Sequence, residues 1–498
     1  MRKLATLLVL AAAVGAGEPL PPEASFLSDP QPVVVELEGN PLRYAAARIG
    51  LDLGSLELPR AYESGYRTVC RFPLIDAVAN RPLYMKQWAE DTSAHLRVRH
   101  EEAGLLALED ALEILRGTGE WAETAPEVEA EARAETAAWI QTLPFQPAYR
   151  DALAKLANAY LDAAALARSG SAELGQADPA ALKWLRSNPG YYLAPDGKTM
   201  PSLTGNVETH LRFIATARRL DLTRIFGAAR LLSRAIAEYV AATDGMRPDA
   251  IFSDPKQATK VFGRETVAGR ITIGGTGDDV HATDAGLLID LGGDDFYRNS
   301  AGAGLRTAAL CIDHAGDDRY YSPAGRYRQG FGFLGCGFLV DLAGDDHYRA
   351  QHFSQAAGIC GVGLIWDRAG TDVYDAHAFC QGAGMFGLGL LLDSDGSDHY
   401  DCATLGQGAA TTLGLGIVSD LAGDDRYHLA IDAAKDALGR TPGYGQGGAL
   451  SFRQLPWRGT LTPYGGAGLL FDHGGNDRYR SAGWCDQGGS YLLSLGAL

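Results

Sequence analysis

One phrase, written again and again, constrains this chain more than anything else in it. From about residue 271 an Asp is followed by Gly-x-Asp-x-Tyr, with the first Asp at Asp290, Asp313, Asp341, Asp367, Asp393, Asp420 and Asp472. The second stands five residues later, at Asp295, Asp318, Asp346, Asp372, Asp398, Asp425 and Asp477. A Tyr follows at 297, 320, 348, 374, 400, 427 and 479, and Gln329, Gln355, Gln381 and Gln407 recur at steps of 26. Gln446 and Gln487 continue that series, and an incomplete copy, GGTGDDVH (Gly274–His281), opens it.

A unit of 26 residues with short apolar runs and Asp-Gly turns cannot bury its apolar face alone, whereas stacked units can. Helical repeats would carry a Gly-x-Gly in each unit at about 1 kcal/mol per glycine. Short strands avoid that penalty. The expected fold class is therefore α+β with two domains, an all-α N-terminal domain followed by a right-handed parallel β-solenoid of about seven coils over residues 271–498. At ~4.8 Å per coil the rod is roughly 34 Å tall.

The interval from Asp420 to Asp472 is 52 residues, which fits two coils or one coil with insertions. Gln446 lies 26 residues after Asp420, where regular coils need 14, and Asp472 lies 26 after Gln446, where they need 12. This is one coil with two inserts, at about 429–445 and 451–464. They bring in Tyr444, Trp457, Arg458 and Tyr464, the expected ligand-binding residues for a cell-surface glycan or protein.

Counting back from the first Asp, positions −1, −3 and −5 hold Leu392, Leu390 and Leu388 in one coil and Trp366, Leu364 and Val362 in another. The expectation is that these point inward. Position −2 (Leu288, Cys311, Leu339, Ile365, Leu391, Val418, Leu470) would then share the outer face with glycines at −4 and −6. So long an apolar strip predicts a cover, either the helical domain or a second solenoid in a homo-oligomer. The tyrosines are expected inside, stacked ring on ring, and the glutamines as an amide ladder along the rod.

Residues 40–245 follow a different rule, rich in Ala, Leu, Glu and Arg with apolar residues at helical spacing, as in EEAGLLALEDALEILRG. Residues 246–270 read as a connector. His95, His100, Glu208 and His210 read as satisfied or solvated polar residues, since their spacings share no helix face. The chain starts MRK, continues with an apolar run from Leu4 to Val14 and then Gly15-Ala16-Gly17, which reads as a signal peptide over 1–17 with a linker over 18–39. The run is too short to span a bilayer, so an exported protein (periplasmic or extracellular) without a transmembrane segment is expected. A net charge of −17 argues against nucleic acid as a partner. Seven cysteines without a CxxC pair give no zinc-type spacing and read as small core fillers, although export leaves a disulfide open.

The Asp columns resist a purely packing account. Carboxylates stacked ~4.8 Å apart repel by about 1 kcal/mol per neighbour in water and by several times that in a protein. Backbone N–H groups at Asx-turns can offset this, and so can calcium. Here GGTGDDVH, LGGDDFY and HGGNDRY resemble the G-G-x-G-x-D-x-U words of calcium-binding RTX nonapeptide repeats. That resemblance implies Ca²⁺ ligation in the turns by Asp279, Asp295 and Asp477, and by extension along both Asp columns. The period of 26 and the Tyr in place of a short aliphatic depart from the family's pattern.

A second resemblance is to parallel β-helix enzymes that cut pectin-like polysaccharides, whose sites are acidic clusters with Arg, Lys or His on one solenoid face. It implies an alternative carbohydrate-active site of lyase or hydrolase type at Arg349, Asp375, His399 and Asp401. A concave site would favour the enzyme, and a flat, ion-paired surface the scaffold. The first reading is an exported structural or ligand-binding solenoid whose aspartates are satisfied either by calcium or by the amides of their own turns.

Overall fold

The computed structural model describes residues 74, 84–103, 105–116, 130–188, 207–247, 251–322, 325–429, 444–450, 465–481, 487–491 and 495–498. The signal-peptide reading, Cys70, Cys485 and most of both inserts lie outside them. Among the described residues eight α-helices precede the strands: α1 (Tyr84–Ala103), α2 (Leu106–Arg116), α3 (Ala130–Thr142), α4 (Pro147–Ser169), α5 (Ala172–Ala177), α6 (Pro179–Arg186), α7 (Val207–Ala217) and α8 (Leu222–Thr243). Local sequence sets their starts. Asp178 accepts the Ala181 N–H at 3.0 Å ahead of α6, and Asp221 accepts the Thr223 N–H at 3.1 Å ahead of α8. Pro147 and Pro179 occupy first turns, where a missing N–H costs nothing. No described helix is long and apolar enough to cross a membrane.

The solenoid follows with a spacing of about 26 residues and has three faces. The first is a sheet whose six-residue strands end on the first Asp column, in register from Asp313 through Asp341, Asp367, Asp393 and Asp420 to Asp472. Asp290 precedes them, because Ile289 pairs with Ile312. Seven aspartates thus bound six complete turns. Asp420 lies directly beside Asp472, so the 52-residue interval is a single coil with inserts. The second face carries the tyrosines, in register from His347–Arg349 through Val373–Asp375 and His399–Cys402 to Arg426–Leu429. The third is built from two-residue strands such as Gly332–Phe333, Gly358–Ile359 and Gly384–Met385. At the N-terminal end the first sheet is closed by an antiparallel strand, Phe262–Thr266, which folds back on Gly269–Ile273.

The two sides of the first sheet are the reverse of the expectation. Leu388, Leu390, Leu392, Val362, Leu364 and Trp366 belong to one cluster with Leu108, Leu112, Leu153, Tyr160, Ile225 and Leu232, so positions −1, −3 and −5 face the helices, with α4 and α8 over the earlier strands and α2 over Leu388–Asp393. Position −2 (Leu288, Cys311, Leu339, Ile365, Leu391, Val418, Leu470) clusters instead with the tyrosines inside the rod. The aliphatic column is covered, but by the tyrosines of its own coils. The glycine–aliphatic face is therefore interior and offers no surface for pairing with another copy. The glycine strip does admit a second backbone, that of the third face: a Cβ on Gly337, Gly363, Gly389 or Gly416 would collide with the carbonyl oxygen of Phe331, Ala357, Ala383 or Ala409.

Helices cover two of the three faces. Besides the contact of α4 and α8 with the first sheet, Leu182, Leu185, Phe213 and Ile214 of α6 and α7 pack with Phe331, Ile359, Phe379 and Met385 of the third face. Polar contacts pin the seams. Tyr160 donates to the Ala268 carbonyl at 2.7 Å, Tyr239 contacts His314 at 2.9 Å, and His100 lies 2.9 Å from Ser394 and 3.3 Å from Ser419. His100 is thus the satisfied polar residue its spacing suggested, and burial pushes its pKa down to about 3. Cys311, Cys336, Cys360, Cys380 and Cys402 are buried, in keeping with their reading as core fillers.

The glutamines do not form an amide ladder. From Gln329 to Gln446 each amide nitrogen clamps two backbone carbonyls of adjacent tyrosine strands; Gln381 Nε2 donates to Tyr374 O at 2.9 Å and to Asp401 O at 3.0 Å. All six glutamines have φ between 48 and 54°, in the left-handed region. Gln381→Ala keeps the unfavourable φ and deletes both bonds, so it is expected to cost roughly 2 kcal/mol in urea unfolding. An unchanged midpoint would rule out the clamp.

Candidate metal centre

Both acid columns are inside the protein. The first-column aspartates from Asp290 to Asp420 are fully buried, and Asp295, Asp318, Asp346, Asp372, Asp398 and Asp425 of the second are at most 2% exposed. The inward tyrosines explain half of the arrangement. Their rings stack 4.4–4.8 Å apart, a spacing set by the strands beneath them. Each hydroxyl reaches a first-column carboxylate: Tyr320 to Asp341 (2.6 Å), Tyr348 to Asp367 (2.5 Å), Tyr374 to Asp393 (2.7 Å) and Tyr400 to Asp420 (2.8 Å). Tyr297 makes the same bond to Asp313.

Backbone amides explain part of the rest. In the second column, Oδ1 of each Asp accepts the N–H of the Asp one coil earlier, as Asp372 does from Asp346 and Asp398 from Asp372, both at 2.7 Å. These inter-coil bonds replace the self-contained Asx-turn expected at those positions. In the first column, Asp313 and Asp341 accept the N–H two residues on, at 2.9 and 3.3 Å, which is the Asx pattern. A third, exposed column went unread in the sequence, although the doubled Asp of Gly-Asp-Asp signals it. Asp294 and Asp317 each accept the N–H one coil later, at 3.1 and 3.0 Å.

Amides and hydroxyls do not finish the job. Oδ2 of Asp279, Asp295, Asp318, Asp346, Asp372, Asp398 and Asp425 has no hydrogen-bond partner among the described residues, nor has Oδ1 of Asp393 and Asp420. Several of these residues meet in triads. In Asp346–Asp367–Asp372 and in Asp372–Asp393–Asp398, one carboxylate oxygen from each residue lies within 4.8 Å of the others. Asp290–Asp295–Asp313 and Asp313–Asp318–Asp341 repeat the arrangement toward the N-terminal end.

Burial, and then repulsion between neighbours, drives these carboxyls far above the ordinary range. Asp346 and Asp372 are pushed up to about 10, Asp295 to about 8 and Asp398 to about 7. Asp313, Asp341, Asp393 and Asp420 are raised strongly for the same causes. Asp367 and Asp372 of one coil offer carboxylate oxygens within 4.8 Å of each other, and so do Asp393 and Asp398; two buried carboxyls this close cannot both stay charged without a compensating positive charge. The columns therefore require positive charge, delivered either as protons or as cations. Asp472 and Asp477 close the series at the C-terminal end, where Asp477 accepts the Asp425 N–H at 3.1 Å.

The alternative catalytic residues form a different kind of surface. They lie on the outward side of the second face, in two in-register rows. Arg349 pairs with Asp375 at 3.2 Å, and Asp401 with His428 at 3.1 Å, so each carboxylate has its own basic partner. His399 stands one row over, between Val373 and Arg426. This is an ion-paired ladder. A cavity of about 610 Å³ lies elsewhere, between α4 and α8. Of the insert residues, Tyr444 is corrected from a projecting position to a buried one (2% exposed), where it packs with the third-face cluster. Trp457, Arg458 and Tyr464 lie outside the described residues. No protein family matches the chain, and neither does any curated protein or solved structure.

Proposed function

We propose that this is an exported β-solenoid scaffold whose buried acid columns bind calcium. The observation that carries the reading is the repeated set of buried carboxylate triads, whose members include oxygens without a hydrogen-bond partner among the described residues. Calcium takes oxygen ligands at about 2.3–2.6 Å, so oxygens up to about 5 Å apart fit around one ion. Each regular coil brings one aspartate from each column, and one divalent ion per coil balances the pair. The likeness of the turns to RTX words supports the same ion. Export rests on the N-terminal apolar run. Recognition of a cell-surface glycan or protein is assigned to the inserts between Asp420 and Asp472, through Trp457, Arg458 and Tyr464.

Calorimetry of the purified protein in EDTA and in calcium tests the proposal. Without cations each close carboxylate pair costs on the order of 1 kcal/mol or more, and several coils together rival the 5–15 kcal/mol stability of a domain. EDTA is expected to lower Tm by at least ~10 °C, at about 2–4 °C per kcal/mol for a domain of this size. Asp372→Asn, which removes one charge from the middle of the column, should partly rescue the EDTA form. An EDTA shift within error sinks calcium binding and leaves protons as the charge that fills the columns.

A further inference from the structure

We infer that the N-terminal end of the acid columns is a mixed nitrogen–oxygen site, built on His281, that takes a transition-metal ion of the zinc class. His281 occupies the tyrosine position of the incomplete first copy. It pairs in register with Tyr297, and its ring stacks on that tyrosine at 4.7 Å. Only 6% exposed, it places Nε2 2.7 Å from Asp290 Oδ2 and 4.0 Å from Asp295 Oδ2. Asp279, His281 and Asp290 each offer a ligand atom, all within 4.8 Å of one another.

A second observation points to a ligand. Asp295 is 1% exposed, and its Oδ2, the oxygen facing the imidazole, has no hydrogen-bond partner among the described residues. Tyrosine at this place would only donate a hydrogen bond. Imidazole instead supplies a borderline-soft nitrogen, which suits zinc-class ions, whereas calcium is held by oxygen alone. One imidazole and two or three carboxylates make a complete donor set for such an ion, which takes the place of the proton between His281 and Asp290. The inference rests on the reading that cations enter the columns, with which it shares Asp290 and Asp295.

Cobalt(II) is the probe, titrated into the full chain in saturating calcium. One Co²⁺ per chain is expected, with the visible absorption of a four- or five-coordinate site, bleached by one equivalent of Zn²⁺. His281→Tyr installs the residue found in the later coils and should abolish that absorption while leaving the calcium-dependent Tm shift intact. If His281→Tyr does not fold, His281→Gln takes its place. An unchanged cobalt spectrum in the variant overturns the inference, and so does wild-type protein that binds no cobalt. In either case an intact calcium shift shows that the columns bind calcium without a special end site.

Discussion

Gly389→Ala is expected to leave no folded solenoid. A Cβ at this position would overlap the Ala383 carbonyl group and the Gly382 backbone, and neither can yield as a flexible side-chain end would. Gly363 and Gly416 meet the same obstacle one coil to either side, so the rod cannot widen locally without parting the coils stacked on it. Overpacking a well-filled core usually costs about 1–3 kcal/mol, and a collision with fixed backbone costs more, above about 4 kcal/mol. Leu390→Ala, one residue along, removes a side chain from the helix-facing layer. It should cost about 2–5 kcal/mol and keep the fold. Urea unfolding followed by circular dichroism compares the two. If Gly389→Ala is the milder change, the glycines do not face the interior.

In EDTA, stability should fall as pH rises from about 4 to about 10, against the usual trend. The sign follows from the direction of the shifts. The folded columns hold their carboxyls above the ordinary aspartate pKa, with Asp318 and Asp367 up to about 6 and Asp346 and Asp372 up to about 10. The folded state therefore binds more protons than the unfolded chain. The stabilisation is fully present below the unfolded pKa and is lost as pH passes through the folded values. Each retained proton contributes about 1.4 kcal/mol per pH unit, and several are retained at once. Calcium should flatten the profile above neutral pH by supplying the positive charge instead. Melting curves from pH 4.5 to 9, with and without calcium, measure both profiles. A Tm in EDTA that rises between pH 5 and pH 8 contradicts the buried acid columns.

The period, the in-register columns and the single coil between Asp420 and Asp472 were all legible, because stacking forces each coil to copy the last. The direction of the first-sheet side chains was not. Leu390 and Leu391 are equally apolar, and a strand buried on both faces shows no alternation from which to choose a side. What settles it is the flatness of the coil: only glycine at positions such as 363 and 389 lets the third face approach, and that constraint involves residues distant in the repeat. Acid chemistry was legible as a question of neutralisation. The split within each carboxylate, with one oxygen bonded to a neighbouring coil and the other without a partner, depends on distances that no spacing encodes. His281 escaped notice because the repeat was defined by tyrosine, and Tyr444 because an inserted segment reads as a projecting loop.

The reversed strand Phe262–Thr266 has a consequence for crowded solutions. In-register stacking is the geometry by which fibres grow, since every coil is a template for an identical one. At the N-terminal end the last strand runs antiparallel to the others, and Arg264 ties it to Glu135 of α3 at 2.6 Å. A second molecule arriving at this sheet meets an edge of the wrong polarity, fastened to a helix, so the longest sheet of the solenoid cannot template a further coil at that end.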